Sequence, residues 1–368
     1  MTSPRLFDLR LPDLPLEHGG VVTRHHARGW WWGPEAELPL LAGRARLLPK
    51  ESLEAPCVVV RREAGLEARG GGPALPADVP TVLLVHALTG DARAGGTRGW
   101  WEPLIGVGRP LDPTKVRLLC FNNLGSNYGS SGPLDDGWPQ AARLSTVDQA
   151  RALWLALDAL GVERLHLAAG GSLGGMILLA MAALRPDAVE RLLPIGATGF
   201  ATAWLTGFNH VQRQAIALDP VRGLEVARQL AMISYRAEPG LELNQSRTQP
   251  LRAGAPGRFP IEGYLEHQGK ALSSRFDAAA YLALLDAMDS HDLVHREPSL
   301  SRIRAKALVA DIDTDVLYTP AQVQALGDTL TETAPLVERA TLRSLHGHDA
   351  FLIEWDQLAP LVVRALSL

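Results

Sequence analysis

Short apolar runs recur along the chain at residues 81–86, 116–121, 164–169, 191–195, 305–310 and 340–345, each rich in Val, Leu, Ile or Ala and bounded by polar or Gly turns. Continuous apolar runs of this length, separated by helical stretches, are the pattern of a parallel sheet buried on both faces. Between the second and third runs, Val147, Ala150, Leu153, Trp154 and Leu157 keep the i, i+3, i+4, i+7 spacing of an amphipathic helix. That helix is predicted over residues 145–160 and closed by Gly161. Strand, helix, strand is the repeating unit, which predicts an α/β fold with a mostly parallel central sheet flanked by helices.

Residues 198–293 behave differently, with several helical segments, many charges and no strand alternation before the run at 305. The expected organisation is a core formed by residues 1–197 and 297–368, with a helical lid at 198–296 inserted between two core strands. Upstream, the stretch 69–80 is dense in Gly and Pro and predicts a break between an N-terminal antiparallel portion and the first core strand. In that N-terminal portion Trp30, Trp31 and Trp32 are adjacent; neighbours on a strand point to opposite faces, so packing is the expected role.

Composition narrows the class. The 368 residues are 46% hydrophobic and 21% charged, an ordinary globular mixture that excludes disordered, collagenous and coiled-coil architectures. Lys plus Arg number 36 against 40 Asp plus Glu, a net charge of -4 without a block of either sign, which argues against nucleic acid or an anionic membrane as partner. Cys57 and Cys120 stand alone in apolar runs, so no disulfide framework and no metal site is expected. Residues 1–15 alternate apolar positions with Arg, Asp and Pro, unlike a signal peptide, and no apolar run reaches membrane-span length. The expected location is the cytoplasm.

The strongest chemical signal is Gly170-Gly171-Ser172-Leu173-Gly174-Gly175, between the third apolar run and the apolar stretch 176–184. A Gly-rich helix start can simply pack tightly or hold a phosphate. In this strand-to-helix setting, however, G-x-S-x-G is the nucleophile elbow of the α/β-hydrolase fold, with Ser172 at the tip. A serine hydroxyl needs a base held by an acid, supplied in that fold in the order Ser, Asp or Glu, His. Asp311, Asp313 and Asp315 follow the fifth run, and His346 and His348 follow the sixth. Spacing does not choose among the three carboxylates or between the two imidazoles. For an oxyanion, the backbone N–H of Leu173 is the first expected donor, and Leu88, in His86-Ala87-Leu88-Thr89-Gly90 beyond the first run, is the second.

At these residues the chain resembles the homoserine O-acetyltransferase family of α/β-hydrolase-fold acyltransferases. His86 to Gly90 with Asp91, Trp100-Trp101, Asn123-Leu124-Gly125 and Gly171 to Met176 are similar to its core blocks. Phe208-Asn209-His210, Gln268-Gly269 and Arg275-Phe276-Asp277-Ala278 are similar to its lid. Leu16-Glu17-His18-Gly19-Gly20 looks like its opening strand, whereas Ala231-Met232-Ile233-Ser234-Tyr235 departs from the more usual Gly-x-Ile-Thr-Tyr. The family's acid lies in Asp-x-Leu-aromatic, matched by Asp315-Val316-Leu317-Tyr318, and its base in Gly-His-Asp, matched by Gly347-His348-Asp349. The resemblance therefore implies a Ser172, His348, Asp315 triad, with Arg228 on the carboxylate and Asp349 on the amino group of an amino-acid acceptor. Tyr235, seven residues after Arg228 and on the same helical face, would add a hydroxyl.

The implied reaction is ping-pong transfer of an acetyl group from acetyl-CoA to the hydroxyl of L-homoserine, within methionine biosynthesis. An acyl-CoA would serve as co-substrate, with no metal or bound organic cofactor, and the lid helices would carry a homodimer. Succinyl transfer, or serine as acceptor, belongs to the same architecture. A carboxylesterase or thioesterase would use the same triad without needing Arg228 and Asp349, and a catalytically silent binding protein would leave Ser172 unreactive to a fluorophosphonate.

Overall fold

The apolar runs become neighbouring strands in the computed structural model, which describes residues 4–49, 75, 76, 78–250 and 259–368. Cys57 and most of the Gly/Pro-rich stretch 69–80 lie outside the described residues. The N-terminal part supplies β1 (Arg5–Arg10), β2 (Leu14–Pro15), β3 (Val21–Val22), β4 (His26–Trp32), α1 (Leu38–Arg44) and β5 (Arg46–Leu47). The core follows with β6 (Thr81–Val85), β7 (Arg117–Phe121), α2 (Thr146–Leu160), β8 (Leu167–Gly171), α3 (Leu173–Leu184) and β9 (Arg191–Ile195). Helices α4 (Ala203–Leu218), α5 (Pro220–Tyr235), α6 (Glu238–Gln245), α7 (Pro260–Ser273) and α8 (Ala278–Asp289) come next. The sheet then resumes with β10 (Lys306–Ile312), α9 (Pro320–Thr331), β11 (Val337–Leu342) and α10 (Trp355–Ser367).

Among the described residues one sheet has the order β11-β10-β9-β8-β6-β7-β4-β1-β5. It is parallel from β11 to β7, and β4, β1 and β5 continue it antiparallel. Since β7 and β8 flank β6 on opposite sides, the winding reverses at β6, and the crevice beyond the carboxyl ends of β6 and β8 is where ligands bind in open α/β sheets.

Local chemistry explains the elements. Ser145 caps α2 in a reciprocal box with Asp148, and Gly161 ends the helix in the left-handed conformation at φ 73°. Asp148 also accepts from Glu17 N at 2.8 Å, tying the N-terminal segment to α2. Helix α3 is apolar all round and buried along almost its whole length beneath the sheet. On β4, Trp31 packs into one face of the sheet while Trp30 and Trp32 stack at 5.6 Å on the other, so the triplet is core. Beside it, Asp8 and Arg28, directly opposed on β1 and β4, form a buried bidentate pair at 2.7 and 2.8 Å.

Three predicted boundaries move. The third strand runs on into Gly170 and Gly171, because the ladders to β6 and β9 hold those glycines extended. The last strand begins at Val337, earlier than its apolar run, because β11 is a sheet edge whose Glu338 and Arg339 need no burial. Residues 16–20 are not a strand; Gly19 and Gly20, at φ 95° and 89°, turn the chain between β2 and β3.

The five helices described between β9 and β10 are fastened where the chain leaves and rejoins the sheet. Ala201 N donates to the His291 carbonyl at 2.7 Å and Leu293 N to the Gly199 carbonyl at 2.9 Å. Between these crossings the His291 ring is buried, Nε2 donating to the Thr198 carbonyl at 2.9 Å and Nδ1 accepting from the Thr146 hydroxyl at 2.8 Å. A carbonyl only accepts, which sets the tautomer. Burial pushes this imidazole down from 6.5 to about 4, against the Thr198 hydrogen bond and the charge of Asp292. The unfolded chain therefore takes up a proton that the folded protein refuses, and stability present above 6.5 is lost as pH falls towards 4, roughly 3 kcal/mol from this side chain. Replacing His291 by Gln keeps a donor for Thr198 without the titration. Urea midpoints measured between pH 6.5 and 4 should fall less steeply in His291→Gln than in the parent; parallel curves would reject the assignment.

Candidate active site

Ser172 stands between the last residue of β8 and the first of α3, at φ 57° and ψ −130°. For a residue with a Cβ this conformation costs about 1–3 kcal/mol and persists only when its surroundings over-determine it. Here Ser172 N donates to the Ile195 carbonyl at 2.9 Å, and the Ser172 carbonyl accepts from Met176 N at 3.1 Å. Gly174 completes the constraint: a Cβ there would lie 2.2 Å from the Val85 carbonyl oxygen, so the end of β6 reaches the turn only against bare backbone. Leu173, as the first residue of α3, has an N–H without an intrahelical acceptor.

Of the three aspartates left open by spacing, Asp315 is the one that meets a histidine. His348 Nδ1 lies 2.6 Å from Asp315 Oδ2, both side chains buried. The other oxygen, Oδ1, accepts from Leu317 N at 2.8 Å and Tyr318 N at 3.0 Å, which aims the carboxylate. Asp313 instead accepts from Ser344 N at 3.0 Å, lacing the loop after β10 to the loop after β11. Asp311 lies on β10 beside Gln324. His346 precedes the 3-10 turn Gly347–Leu352 and does not line the cavity. Burial alone would lower the His348 imidazole, but the charge and hydrogen bond of Asp315, with the charge of Asp349, raise it above its ordinary value. His348 Nε2 is buried and hydrogen-bonds to no protein atom.

A cavity of about 180 Å³ opens over this pair, and its walls include Leu88, Ser172, Arg228, Tyr235, His348 and Asp349. Sequence-predicted residues from β6, β8, α5 and the loop after β11 thus converge on one space. Arg228 and Tyr235 meet as their helical spacing predicts, with the guanidinium 5.7 Å from the ring centroid. Burial pushes the Tyr235 hydroxyl up to about 12, Arg228 lowering and Asp349 raising it.

Three residues without a sequence-assigned role also shape the site. Arg236 Nε lies 3.2 Å from Asp349 Oδ2, so the carboxylate already has a cation beside it. His86 Nδ1 donates to the Ala87 carbonyl at 2.8 Å while Nε2 accepts from Asn123 N at 3.1 Å, which pins the loop carrying Leu88 to the end of β7. Burial lowers the His86 pKa, in keeping with that neutral tautomer. Tyr318 is buried, its hydroxyl pushed well up by desolvation, and its ring packs on the His348 imidazole at 5.0 Å between centroids. Tyrosine after Asp-x-Leu was the visible signal for this last contact, whereas nothing in the spacing marks Arg236.

Comparison with known proteins agrees with the geometry. Residues 80–319 match the α/β-hydrolase fold family. The chain is 36% identical over 315 residues to the homoserine O-acetyltransferase of Moorella thermoacetica, spanning 76% of this chain and 84% of that protein. It is 39% identical over 310 residues to that of Salinibacter ruber, spanning 76% and 86%. The crystal structure of homoserine O-acetyltransferase from Staphylococcus aureus superposes with a TM-score of 0.77 at 26% identity, over 100% of this chain and 96% of that one. Esterase E22 superposes equally, TM-score 0.77, but at 19% identity, a likeness of fold alone. The chain belongs to the α/β-hydrolase fold and, within it, to the homoserine O-acetyltransferase family, a family of transferases.

Proposed function

We propose that the protein transfers an acetyl group from acetyl-CoA to the side-chain hydroxyl of L-homoserine through an acyl-enzyme on Ser172. The observation that carries this reading is the convergence of Ser172 and His348 with Arg228 and Asp349 on one small cavity. Hydrolysis needs only the first pair. A cation and an anion beside them suit an α-amino acid, whose carboxylate fills the planar fork of an arginine. The names of the sequence relatives support the same acceptor.

In the first half-reaction Ser172 Oγ attacks the thioester carbonyl as His348 Nε2 takes its proton. The oxyanion accepts from the N–H groups of Leu173 and Leu88, the C–S bond breaks, and His348 returns the proton to the departing thiolate. In the second, the acceptor hydroxyl gives its proton to His348 and its oxygen attacks the acyl carbon; the bond to Ser172 Oγ breaks and the proton returns to the serine. Asp315 holds the imidazole in the Nδ1–H tautomer and stabilises its cation. Arg228 would hold the acceptor carboxylate and Asp349 its ammonium, with Tyr235 adding a hydroxyl contact. The Asp349 oxygen not facing Arg236 remains for that contact. A closed cavity is what lets a held hydroxyl outcompete water.

The decisive measurement is CoA release from acetyl-CoA with L-homoserine, L-serine or no acceptor, following the acyl group by mass spectrometry. L-Homoserine should stimulate release and emerge as O-acetylhomoserine; release indifferent to acceptor, with free acetate, would make the protein a hydrolase. Ser172→Ala should lower turnover roughly 10⁴- to 10⁶-fold and abolish the acetyl-enzyme. Because neutral His348 is the base and its pKa is raised, activity should fall on acidification through a pH above that of free imidazole. Asp315→Asn should move that limb to lower pH while costing about 10⁴-fold in turnover. Arg228→Ala should leave acylation by acetyl-CoA within a few-fold and slow deacylation by L-homoserine roughly 10²- to 10³-fold; equal damage to both halves would remove its assigned role.

A further inference from the structure

A second, larger cavity of about 900 Å³ adjoins the first. Thr89, Gly90, Trp100 and Arg275 line both, so the two form one passage from the surface to Ser172. Its wall carries three arginines, Arg93, Arg98 and Arg275, against two carboxylates, Asp91 and Asp277. Asp91 Oδ1 accepts from Arg93 N at 2.7 Å, and Asp277 Oδ1 accepts from Ala279 N at 2.7 Å as the cap of α8. The guanidiniums are set around the mouth from different segments. Arg275, between α7 and α8, reaches across to donate to the Thr89 carbonyl at 2.9 Å and to the Tyr128 hydroxyl, joining the lid to the loop after β6. Arg93 lies over the Trp30 ring at 5.1 Å. Arg98 is exposed in a loop at φ 69°, a conformation that glycine or asparagine takes more cheaply.

The inner cavity, at about 180 Å³, has room for the reacting groups and not for a nucleotide. A CoA thioester carries its phosphates at the far end of a long neutral arm, so a donor whose acyl carbon meets Ser172 must place those phosphates outside the inner cavity. The outer cavity is the continuation of that passage, and arginine is the side chain that best matches phosphate oxygens. We propose that the outer cavity bounded by Arg93, Arg98 and Arg275 binds the phosphates at the nucleotide end of the CoA thioester. This rests on the acyl-CoA reading of the inner site, and the test separates the two.

Arg98 lines only the outer cavity, and Arg98→Glu and Arg98→Lys carry the same Cβ at φ 69°, so the backbone is held constant while the charge changes. Calorimetric titration with adenosine 3′,5′-bisphosphate, which lacks the arm and the acyl group, should give a dissociation constant raised roughly ten-fold or more in Arg98→Glu and largely restored in Arg98→Lys. In kinetics, Arg98→Glu should lower kcat/KM for acetyl-CoA by a similar factor and leave kcat/KM for S-acetylpantetheine unchanged. The salt dependence of KM for acetyl-CoA should flatten as well. Bisphosphate affinity indifferent to Arg98, or equal losses with both donors, would overturn the assignment. Turnover of acetyl-CoA with unaltered constants in Arg98→Glu would leave the transferase reading standing and remove this site. Bisphosphate binding lost in Arg98→Glu, in a protein that does not turn over acetyl-CoA, would keep the anion site and remove the transferase reading.

Discussion

The contact on which the site depends is the approach of the end of β6 to the turn after β8. The Val85 carbonyl sits where a Cβ on Gly174 would be, only 2.2 Å away, so the two backbones meet with no side chain between them. That contact brings the start of the loop carrying Leu88, the His86 carbonyl included, against the turn that holds Ser172 at φ 57°. A buried helix makes the arrangement stiff, since α3 is apolar on every side and has no lower-energy way to turn. Strain at one residue is thus supported by packing along the whole of α3, and the serine hydroxyl is presented to the cavity without a flexible linker.

The second constraint is on His348, which is held by a different device. His348 belongs to a short turn, which on its own would be mobile, but the loops after β10 and β11 are laced together by backbone and side-chain bonds. Thr314 Oγ1 donates to the Ser344 carbonyl at 2.7 Å, Gly347 N donates to Thr314 Oγ1 at 3.2 Å, and Ser344 N donates to Asp313 at 3.0 Å. Asp315, held by two backbone amides, then needs only its second oxygen for the imidazole. The carboxylates that spacing could not separate turn out to share the work, one lacing the loops and one touching the ring.

What the sequence discloses follows from how each signal arises. The central strands are legible because burial on both faces demands continuous apolar runs, and α2 because a one-sided helix prints its period together with a capping serine and a terminal glycine. β11 reads late because an edge strand tolerates Glu338 and Arg339, and β2 and β3 are too short to print any period. Ser172 stands out because its geometry demands glycine on both sides. Arg236 does not, because a pairing between the end of α5 and the residue after His348 is set by how the lid docks, and no local pattern encodes that docking. Arg93, Arg98 and Arg275 are likewise separate in sequence and meet only around the mouth of the passage.

The helices between β9 and β10 supply part of the charge around the site. The Ser172 turn and the Asp315–His348 pair follow β8, β10 and β11, strands of the sheet itself. Arg228 and Tyr235 come from α5 and Arg275 from the segment before α8, while Asp349 follows β11 and Arg93 and Arg98 follow β6, so lid and core together set the charges around the two cavities. Such a lid can do this only if it keeps its registration to the core to within the reach of a hydrogen bond. Its two crossings are clamped by His291 between Thr146 and Thr198, and its far side is pinned by Arg275 to Thr89. Fastened at both ends, the helices act as a fixed wall that presents Arg228 and Tyr235 to the cavity over Ser172.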